Sequence, residues 1–274
     1  MFPTLFRIGH FSISTYGVVV AVAFFVAGWV VARGFRERKL SGDDAWSLVI
    51  YGLFGGFAGA KLYYVLLHGD FGALLARGGF VWYGGLVGGA VAVAVGITLK
   101  RLPLGAVADA IAPGLAIGHA IGHVACFFSG DSYGVPSNLP WAVAFPRGAP
   151  PSTAGVLRSE FGVSLPSDIP DTALVTVHPT MLYSALALLA AFGVLWWLRR
   201  RQGPAGWLFG LYLVFSGVER FLVEFVRAKD DRLLWGYTTA QAFAVAAVAL
   251  GATLLVMLHM RARRTTSPMT AGAH

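Results

Sequence analysis

The sequence predicts an all-α integral membrane protein with seven transmembrane helices. Of its 274 residues, 57% are hydrophobic and 12% are charged, about half the charged fraction of an ordinary soluble domain. The basic residues that give the chain a net charge of +8 cluster at the ends of apolar runs, as membrane topology requires. This distribution predicts a lipid bilayer as the surroundings of the chain and argues against nucleic acid as a partner.

Each predicted span is an apolar run bounded by polar or basic residues. The seven runs cover residues 14–32, 46–67, 81–99, 104–127, 178–198, 206–227 and 238–259. The first twelve residues lack a basic segment followed by an apolar core, and the first run is long enough to span, so we expect no cleavable signal peptide.

The stretch between the fourth and fifth spans is not membrane-like. Residues 128–177 contain seven prolines among Ser, Asp and Gly, which excludes a long helix. We expect a loop of about fifty residues outside the membrane with short ordered pieces. Residues 1–264 are predicted to form a single polytopic membrane domain, and residues 265–274 a disordered tail.

Basic residues set the predicted orientation. Twelve lie at the ends of spans one, three, five and seven, and six lie on the opposite side. Because basic residues favour the cytoplasmic side, the C-terminus is predicted to be cytoplasmic, and the N-terminus and the long loop are predicted to lie outside. Glycines four residues apart in the second, third and fourth spans also predict closely packed helices.

Polar side chains interrupt the end of the fourth span. His119 and His123 share one helix face, Cys126 follows one turn later, and Asp131 comes in the next turn. Such groups at membrane depth are costly and usually mark a functional path. The two histidines have metal-ligand spacing, but a third ligand is needed, for instance Asp131 or His178. A neutral histidine acting as a general base is the other interpretation. Cys126 is either a nucleophile or a small buried apolar residue.

A second polar group lies in the sixth span. Arg220, Glu224 and Arg227 follow the i, i+4, i+7 spacing of one helix face. Their guanidinium groups match a phosphate, which suggests an anion clamp, and a structural ion pair is the alternative. Lys61 is either a second cation or a side chain that reaches the interface. His178 is either a residue that opens the fifth span or a catalyst.

These motifs together resemble the bacterial prolipoprotein diacylglyceryl transferase family from Ser14 to Gln241. The Tyr-Gly, second-span glycine and third-span His-Gly-Gly-Leu-x-Gly motifs are similar to residues 16–17, 59–65 and 83–88. The signature Gly-Arg-x-Gly-Asn-Phe-x-Asn-Gly-Glu-x-x-Gly aligns without a gap on residues 122–134. The Asp-x-x-Ala-Pro, His-Pro-x-x-Leu-Tyr and Arg-x-x-x-Glu-x-x-Arg motifs are similar to residues 109–113, 178–183 and 220–227.

The departures from the family pattern fall on the chemistry. The signature Arg and Asn and the third-span His of the family are replaced by His123, Cys126 and Tyr83. The family Tyr four residues before the sixth-span Arg is Ser216, and the family Glu after His-Pro-x-x-Leu-Tyr is Ser184. The Arg-Glu-Arg set of the sixth span is retained.

The resemblance implies transfer of diacylglyceryl from phosphatidylglycerol to the lipobox cysteine thiol of a prolipoprotein. It implies no cofactor and a place in the bacterial inner membrane with the active site toward the outer face. Arg220 is expected to bind the phosphate and Glu224 to orient Arg220, with Lys61 as a second cation. His123 is expected to act as base or to hold the headgroup. The remaining expected pocket residues are Tyr16, Tyr83, Cys126, Asp131, His178 and Arg227.

Three alternatives stay open from the sequence. The substitutions at residues 83, 123 and 126 suit a non-catalytic relative that binds a lipid or lipoprotein. They also suit a transferase with a changed donor or acceptor, because an imidazole at residue 123 shapes a different anion site. A solute transporter fits less well, because the sequence shows no internal repeat.

Overall fold

The computed structural model describes residues 4–8, 11–69, 71–74, 81–201, 203–229 and 236–266. Short 3₁₀ segments at Phe71–Leu74 and Glu224–Val226 adjoin longer helices. The strands and α-helices in these ranges are, in chain order, β1 Thr4–Ile8, β2 Phe11–Ser14, α1 Thr15–Glu37, α2 Gly42–His68, α3 Trp82–Leu99, α4 Leu104–Ser129, α5 Ala154–Ser159, α6 Thr180–Leu198, α7 Trp207–Val223 and α8 Thr239–Thr266. The predicted tail at 265–274 lies mostly outside the described residues.

The helices confirm an all-helical membrane protein. Within the described ranges, five helices are long and apolar enough to cross a bilayer, namely α1, α2, α4, α6 and α8. Helix α3 is apolar but shorter over Tyr83–Leu99. Helix α7 has 17 residues and carries Glu219 and Arg220. The count of seven spans, the orientation and the extramembrane loop therefore stay predictions.

A β-hairpin precedes α1, which the apolar pattern of the sequence did not predict. Thr4 pairs with Ser14 and Ile8 with Phe11 in antiparallel register. The Ser14 hydroxyl then accepts a hydrogen bond from the backbone N–H of Gly17 at 3.1 Å, which satisfies one of the unpaired donors at the start of a helix. The hairpin thus leads directly into the first turn of α1, where Tyr16 lies.

The chain divides into two compact units, residues 28–111 and residues 1–27 with 112–274. In the first of these, α2 and α3 pack through glycines. A Cβ atom on Gly59 would lie 2.3 Å from the carbonyl oxygen of Gly84, and one on Gly55 would lie 2.7 Å from that of Gly88. The close approach predicted from the glycine spacing is confirmed for this helix pair.

Replacing Gly59 with alanine is therefore expected to destabilise this helix pair by about 2 kcal/mol, because the new methyl group overlaps a backbone oxygen. The matched control is Gly56→Ala on the same helix, whose Cβ would lie 3.5 Å from the nearest atom, the carbonyl oxygen of Gly85. The control is expected to be neutral or slightly stabilising, since alanine favours a helix. Thermal unfolding in detergent measures both, and equal midpoints for the two variants would contradict the expectation.

An ion pair joins one end of the same helix pair. Lys100, which follows α3, donates a hydrogen bond to the carboxylate of Asp44 near the start of α2 at 2.6 Å. This hydrogen bond raises the pKa of Lys100. The core beside it includes the fully buried Phe35, Leu48 and Val107. The α2–α3 pair is thus held by backbone packing along its length and by an ion pair at one end.

The unit formed by residues 1–27 and 112–274 holds most of α4 and all of α5 to α8. Helices α4, α6 and α7 share a core formed by Ala112, Ala116, Leu195, Leu208 and Tyr212. Helices α7 and α8 approach closely, since a Cβ on Gly217 would lie 2.7 Å from the carbonyl oxygen of Ala244. Tyr212 on α7 also lies 3.2 Å from Nδ1 of His119 on α4, so polar side chains of these two helices meet.

The segment between α4 and α6 has its own small core. Tyr133 is fully buried, stacks on Phe145 with ring centroids 5.4 Å apart, and donates a hydrogen bond to the carbonyl of Pro151 at 3.2 Å. Burial raises the pKa of Tyr133 to about 12, with the charge of Glu160 as a second cause. The phenol therefore keeps its proton at neutral pH and anchors the signature segment.

Candidate active site

A tight turn follows α4 and presents the polar residues of the signature. Gly130 has φ of +67°, and its N–H donates to the carbonyl of Cys126 at 2.9 Å, a common way to end a helix. Ser132 also has a positive φ, of +59°. Its carbonyl accepts a hydrogen bond from the Thr180 hydroxyl at 2.6 Å. The turn is thus held from α6 as well as from α4.

Beyond the turn, residues 133–137 hydrogen-bond to two other backbone segments, residues 174–178 and 226–228, and we call these three segments the clasp. The N–H of Gly134 donates to the carbonyl of His178 at 2.8 Å, and the N–H of Val135 donates to that of Val226 at 2.9 Å. A Cβ on Gly134 would lie 2.3 Å from the same Val226 oxygen. The clasp therefore brings the signature, the start of α6 and the end of α7 together.

The clasp also changes the geometry of the predicted Arg-Glu-Arg face. Helix α7 ends at Val223, Glu224–Val226 is a 3₁₀ turn, and Arg227 is extended with φ −83° and ψ 137°. The prediction of one helix over 206–227 was wrong at this end, because the backbone of Arg227 pairs with Gly134.

The three charged side chains nevertheless meet. Oε2 of Glu224 lies 2.7 Å from Nη2 of Arg220 and 3.7 Å from Nη1 of Arg227. The Glu224 side chain is 0% exposed, whereas those of Arg220 and Arg227 are 29% and 19% exposed. Nη2 of Arg227 also donates to the Ser132 hydroxyl at 3.0 Å. Two partly exposed guanidiniums share one buried carboxylate, so this cluster has a net positive charge that suits an anion.

The polar face of α4 lies beside this cluster. His123 is within electrostatic range of Arg220 and Arg227. The Cys126 thiol hydrogen-bonds to Asp131, so its surroundings differ from the purely apolar site that one interpretation of the sequence gives it.

Asp131 and Tyr16 complete the same side of the site. The Ser129 hydroxyl donates to Oδ2 of Asp131 at 2.5 Å. Tyr16 is 43% exposed and within electrostatic range of Cys126 and Asp131. In the part of the chain that the structure describes, no group of three or more His, Cys, Asp or Glu side chains is arranged to hold a metal ion.

His178 belongs to the clasp and is fixed by a short hydrogen-bond chain. The indole N–H of Trp141 donates to the Tyr183 hydroxyl at 2.8 Å. The same hydroxyl lies 3.1 Å from Nδ1 of His178. Because an indole only donates, the Tyr183 proton is available to His178. His178 is thus a positioned side chain at the start of α6, and Trp141 and Tyr183 were not predicted from the sequence.

Two predicted pocket residues lie in the compact unit formed by residues 28–111. Lys61 is on α2 and Tyr83 is in the first turn of α3. The other predicted site residues, of which Tyr16 is the first and Arg227 the last in the chain, all belong to the unit formed by residues 1–27 and 112–274.

Sequence reasoning missed a second polar group deeper in the bundle. Tyr212 Oη lies 3.2 Å from Nδ1 of His119, and Glu219 hydrogen-bonds to Ser184 on α6. Tyr212, Ser184 and Glu219 are all buried. The spacing of Tyr212 and Glu219, seven residues apart on α7, is the signal in the sequence that could have identified them.

Comparison with known sequences decides the family. A sequence model described as prolipoprotein diacylglyceryl transferase matches residues 3–257, nearly the whole chain. The protein belongs to the prolipoprotein diacylglyceryl transferase family. The resemblance inferred from its motifs is thereby confirmed.

Family members of similar length come from distant bacteria. The phosphatidylglycerol–prolipoprotein diacylglyceryl transferase of Thermosynechococcus vestitus is 31% identical over 266 residues, which cover 94% of this chain and 92% of the relative. The Geobacter sulfurreducens enzyme is 31% identical over 274 residues, covering 94% and 96%. The Clostridium tetani enzyme is 28% identical over 260 residues, covering 92% and 95%. In each of these three comparisons the match covers more than nine tenths of this chain and of the relative.

Proposed function

We propose that this protein transfers the diacylglyceryl group of phosphatidylglycerol to the lipobox cysteine thiol of a prolipoprotein. The observation that carries the proposal is the pair of partly exposed guanidiniums, Arg220 and Arg227, anchored on the fully buried Glu224 beside the polar face of α4. Family membership supplies the reaction class, and the printed names of the relatives supply the donor and acceptor.

The reaction needs an anion site and a base. The thiol loses its proton, and its sulfur forms a bond to the glyceryl carbon of the lipid. The bond between that carbon and the phosphate oxygen breaks, and its electron pair leaves with glycerol phosphate, which takes up the proton. Guanidiniums that are already fixed at the phosphate stabilise the charge that develops on this leaving group.

Residue roles follow from this chemistry. Arg220 and Arg227 bind the phosphate, and Glu224 holds both guanidiniums in place. His123 holds the headgroup or takes the thiol proton. The side chains proposed to line the pocket in the unit formed by residues 1–27 and 112–274 are Tyr16, Cys126, Asp131 and His178. Substrate-binding roles for Lys61 and Tyr83 are proposed from the family resemblance alone.

The proposal includes a topology. Residues 1–264 form one membrane domain with seven spans in the bacterial inner membrane, and α3 and α7 complete the set of five longer helices. The N-terminus and residues 128–177 face outward and the C-terminus faces the cytoplasm, which follows from the distribution of basic residues. The active site then opens toward the outer face, where secreted prolipoproteins arrive.

A changed donor or acceptor, or loss of turnover, is the competing function. It is favoured by His123, Cys126 and Tyr83, which stand where the family has Arg, Asn and His. Imidazole at residue 123 offers one or two donors where guanidinium offers five, so the headgroup contacts differ.

Transfer of labelled diacylglyceryl to a lipobox peptide by the purified protein in detergent tests the proposal. Thioether-linked product is expected with phosphatidylglycerol, and none with a peptide that has serine in place of the cysteine. Product from phosphatidylethanolamine alone would establish a changed donor. Absence of product from a folded protein that still binds phosphatidylglycerol would establish the non-catalytic alternative.

A further inference from the structure

A tight turn in the segment between α4 and α6 exposes apolar side chains. It consists of residues 139–142, and the N–H of Ala142 closes it by donating to the carbonyl of Leu139 at 2.9 Å. We call it the Leu-Pro-Trp turn. Turns are usually built from Gly, Pro, Asn, Asp and Ser, so Leu and Trp are unusual in a turn that faces water. The structure describes every residue from 128 to 177, and the large apolar side chains exposed in that range are Leu139, Trp141 and Leu174.

The polar groups of this turn have partners within the protein. The indole N–H of Trp141 donates to the Tyr183 hydroxyl at 2.8 Å, and it is the only polar group of that side chain. The N–H of Leu139 donates to the Ser137 hydroxyl at 3.2 Å, and Pro140 has no N–H. The Trp141 side chain nevertheless stays 56% exposed. Its ring can therefore leave water without the cost of an unpaired donor.

Tyr183 places the turn at one end of a membrane-spanning helix. It lies in the first turn of α6, which runs from Thr180 to Leu198 and is apolar enough to cross a bilayer. Nineteen residues at 1.5 Å each give a length of about 28 Å, close to the thickness of about 30 Å of a hydrocarbon core. Each end of α6 therefore lies near a bilayer surface, and the Leu-Pro-Trp turn lies at the surface where α6 begins.

The exposed side of α6 continues into the turn. Tyr183 lies three residues before Leu186, on the same side of the helix. At the far end of this side, Cζ of Arg201 lies 4.0 Å from the centre of the Trp197 ring. Aromatic residues at both ends of a lipid-facing surface are typical of the two membrane–water interfaces. The exposed large apolar side chains of α6 are Leu186, Leu189, Val194 and Trp197.

We propose that the Leu-Pro-Trp turn lies in the headgroup region of the bilayer, where Leu139 and Trp141 contact lipid. The partner is the lipid surface, because the turn is continuous with the exposed apolar side of a spanning helix. The inference requires that α6 crosses the membrane and does not depend on the transfer reaction. The Tyr183 hydroxyl also lies 3.1 Å from Nδ1 of His178, so the same hydrogen-bond chain ties the clasp to this surface.

The depth of Trp141 in a bilayer tests the proposal. The full chain is labelled with fluorotryptophan and placed in nanodiscs of phosphatidylcholine and phosphatidylglycerol, and the ¹⁹F signal of Trp141 is assigned by its loss in Trp141→Phe. We expect lipids that carry a doxyl group near the headgroup end of an acyl chain to attenuate this signal more strongly than a water-soluble gadolinium chelate does. Stronger attenuation by the chelate would overturn the proposal.

A second turn of the same segment offers the matched control. The N–H of Ile169 donates to the carbonyl of Pro166 at 3.3 Å, and this turn exposes Ser167 and Asp168. A tryptophan introduced by Ser167→Trp in the Trp141→Phe background is expected to respond more strongly to the chelate than to the doxyl lipid.

A charge placed in each turn tests whether lipid contact depends on the apolar side chains. Leu139→Glu is expected to weaken the attenuation of Trp141 by the doxyl lipid, because a carboxylate resists transfer from water. Ser167→Glu is expected to leave it unchanged. Equal attenuation in the two variants would overturn the role of Leu139.

The lipobox peptide is the other occupant to be tested. A Trp141 signal that shifts when this peptide is added but does not respond to the doxyl lipid would assign the turn to the acceptor and overturn the proposal. Attenuation by the doxyl lipid in a protein that transfers nothing would refute the proposed function and leave the lipid contact standing.

Discussion

Replacing Arg220 with glutamine is expected to lower kcat/KM for diacylglyceryl transfer by about 10²–10³-fold, as loss of one preorganised anion-stabilising donor does in other enzymes. The reason is that its guanidinium lies 2.7 Å from the buried Glu224 carboxylate and is still 29% exposed. It can therefore face a phosphate without moving. Binding of phosphatidylglycerol should weaken in the same variant.

Two further variants separate the anion clamp from a purely structural ion pair. Arg220→Lys keeps the charge but loses the planar fork, so it should fold normally and transfer at an intermediate rate. Arg33→Gln removes an arginine that pairs with Glu37 on α1 and should leave transfer unchanged. Thermal stability of all three is measured in detergent beside the transfer rate. An Arg220→Gln protein with wild-type activity would leave only the structural interpretation of this ion pair.

Replacing Gly134 with alanine is expected to destabilise the unit that holds the site by about 3 kcal/mol, because overpacking against backbone cannot be relieved by a rotamer change. The new Cβ would meet the Val226 oxygen at 2.3 Å and the His178 Cβ at 2.7 Å. Since both neighbours belong to the clasp, their displacement should also move Arg227 and reduce transfer.

The matched control for this substitution is Gly193→Ala on α6, where nothing lies within 4 Å of the added Cβ. It should unfold at or slightly above the wild-type temperature. The midpoint of thermal unfolding in detergent compares the two. If Gly134→Ala matched the control, the close approach at the clasp would not constrain the protein.

The local part of this structure could be predicted from the sequence. Apolar runs located the long helices, and the four-residue spacing of Arg220 and Glu224 predicted an ion pair that is present at 2.7 Å. Both inferences depend only on neighbours within one or two helical turns.

Contacts between distant parts of the chain could not be predicted in this way. Arg227 leaves the helix because it pairs with Gly134, and nothing in its local sequence specifies that partner. The contact between His119 and Tyr212 joins residues 93 positions apart. The hairpin before α1 was also not predicted, because its pairing is determined by the register between two short strands rather than by an apolar run.

The clasp has a consequence for chimaeras made between family members. Its three segments come from three separate parts of the chain, and each backbone hydrogen bond in it depends on a partner in another segment. A signature loop grafted alone from a relative would lack the two segments that hydrogen-bond to it. Exchange of residues 133–137, 174–178 and 226–228 as a set should therefore preserve folding where exchange of any one segment does not, and this set is the natural unit for swapping substrate preference between species.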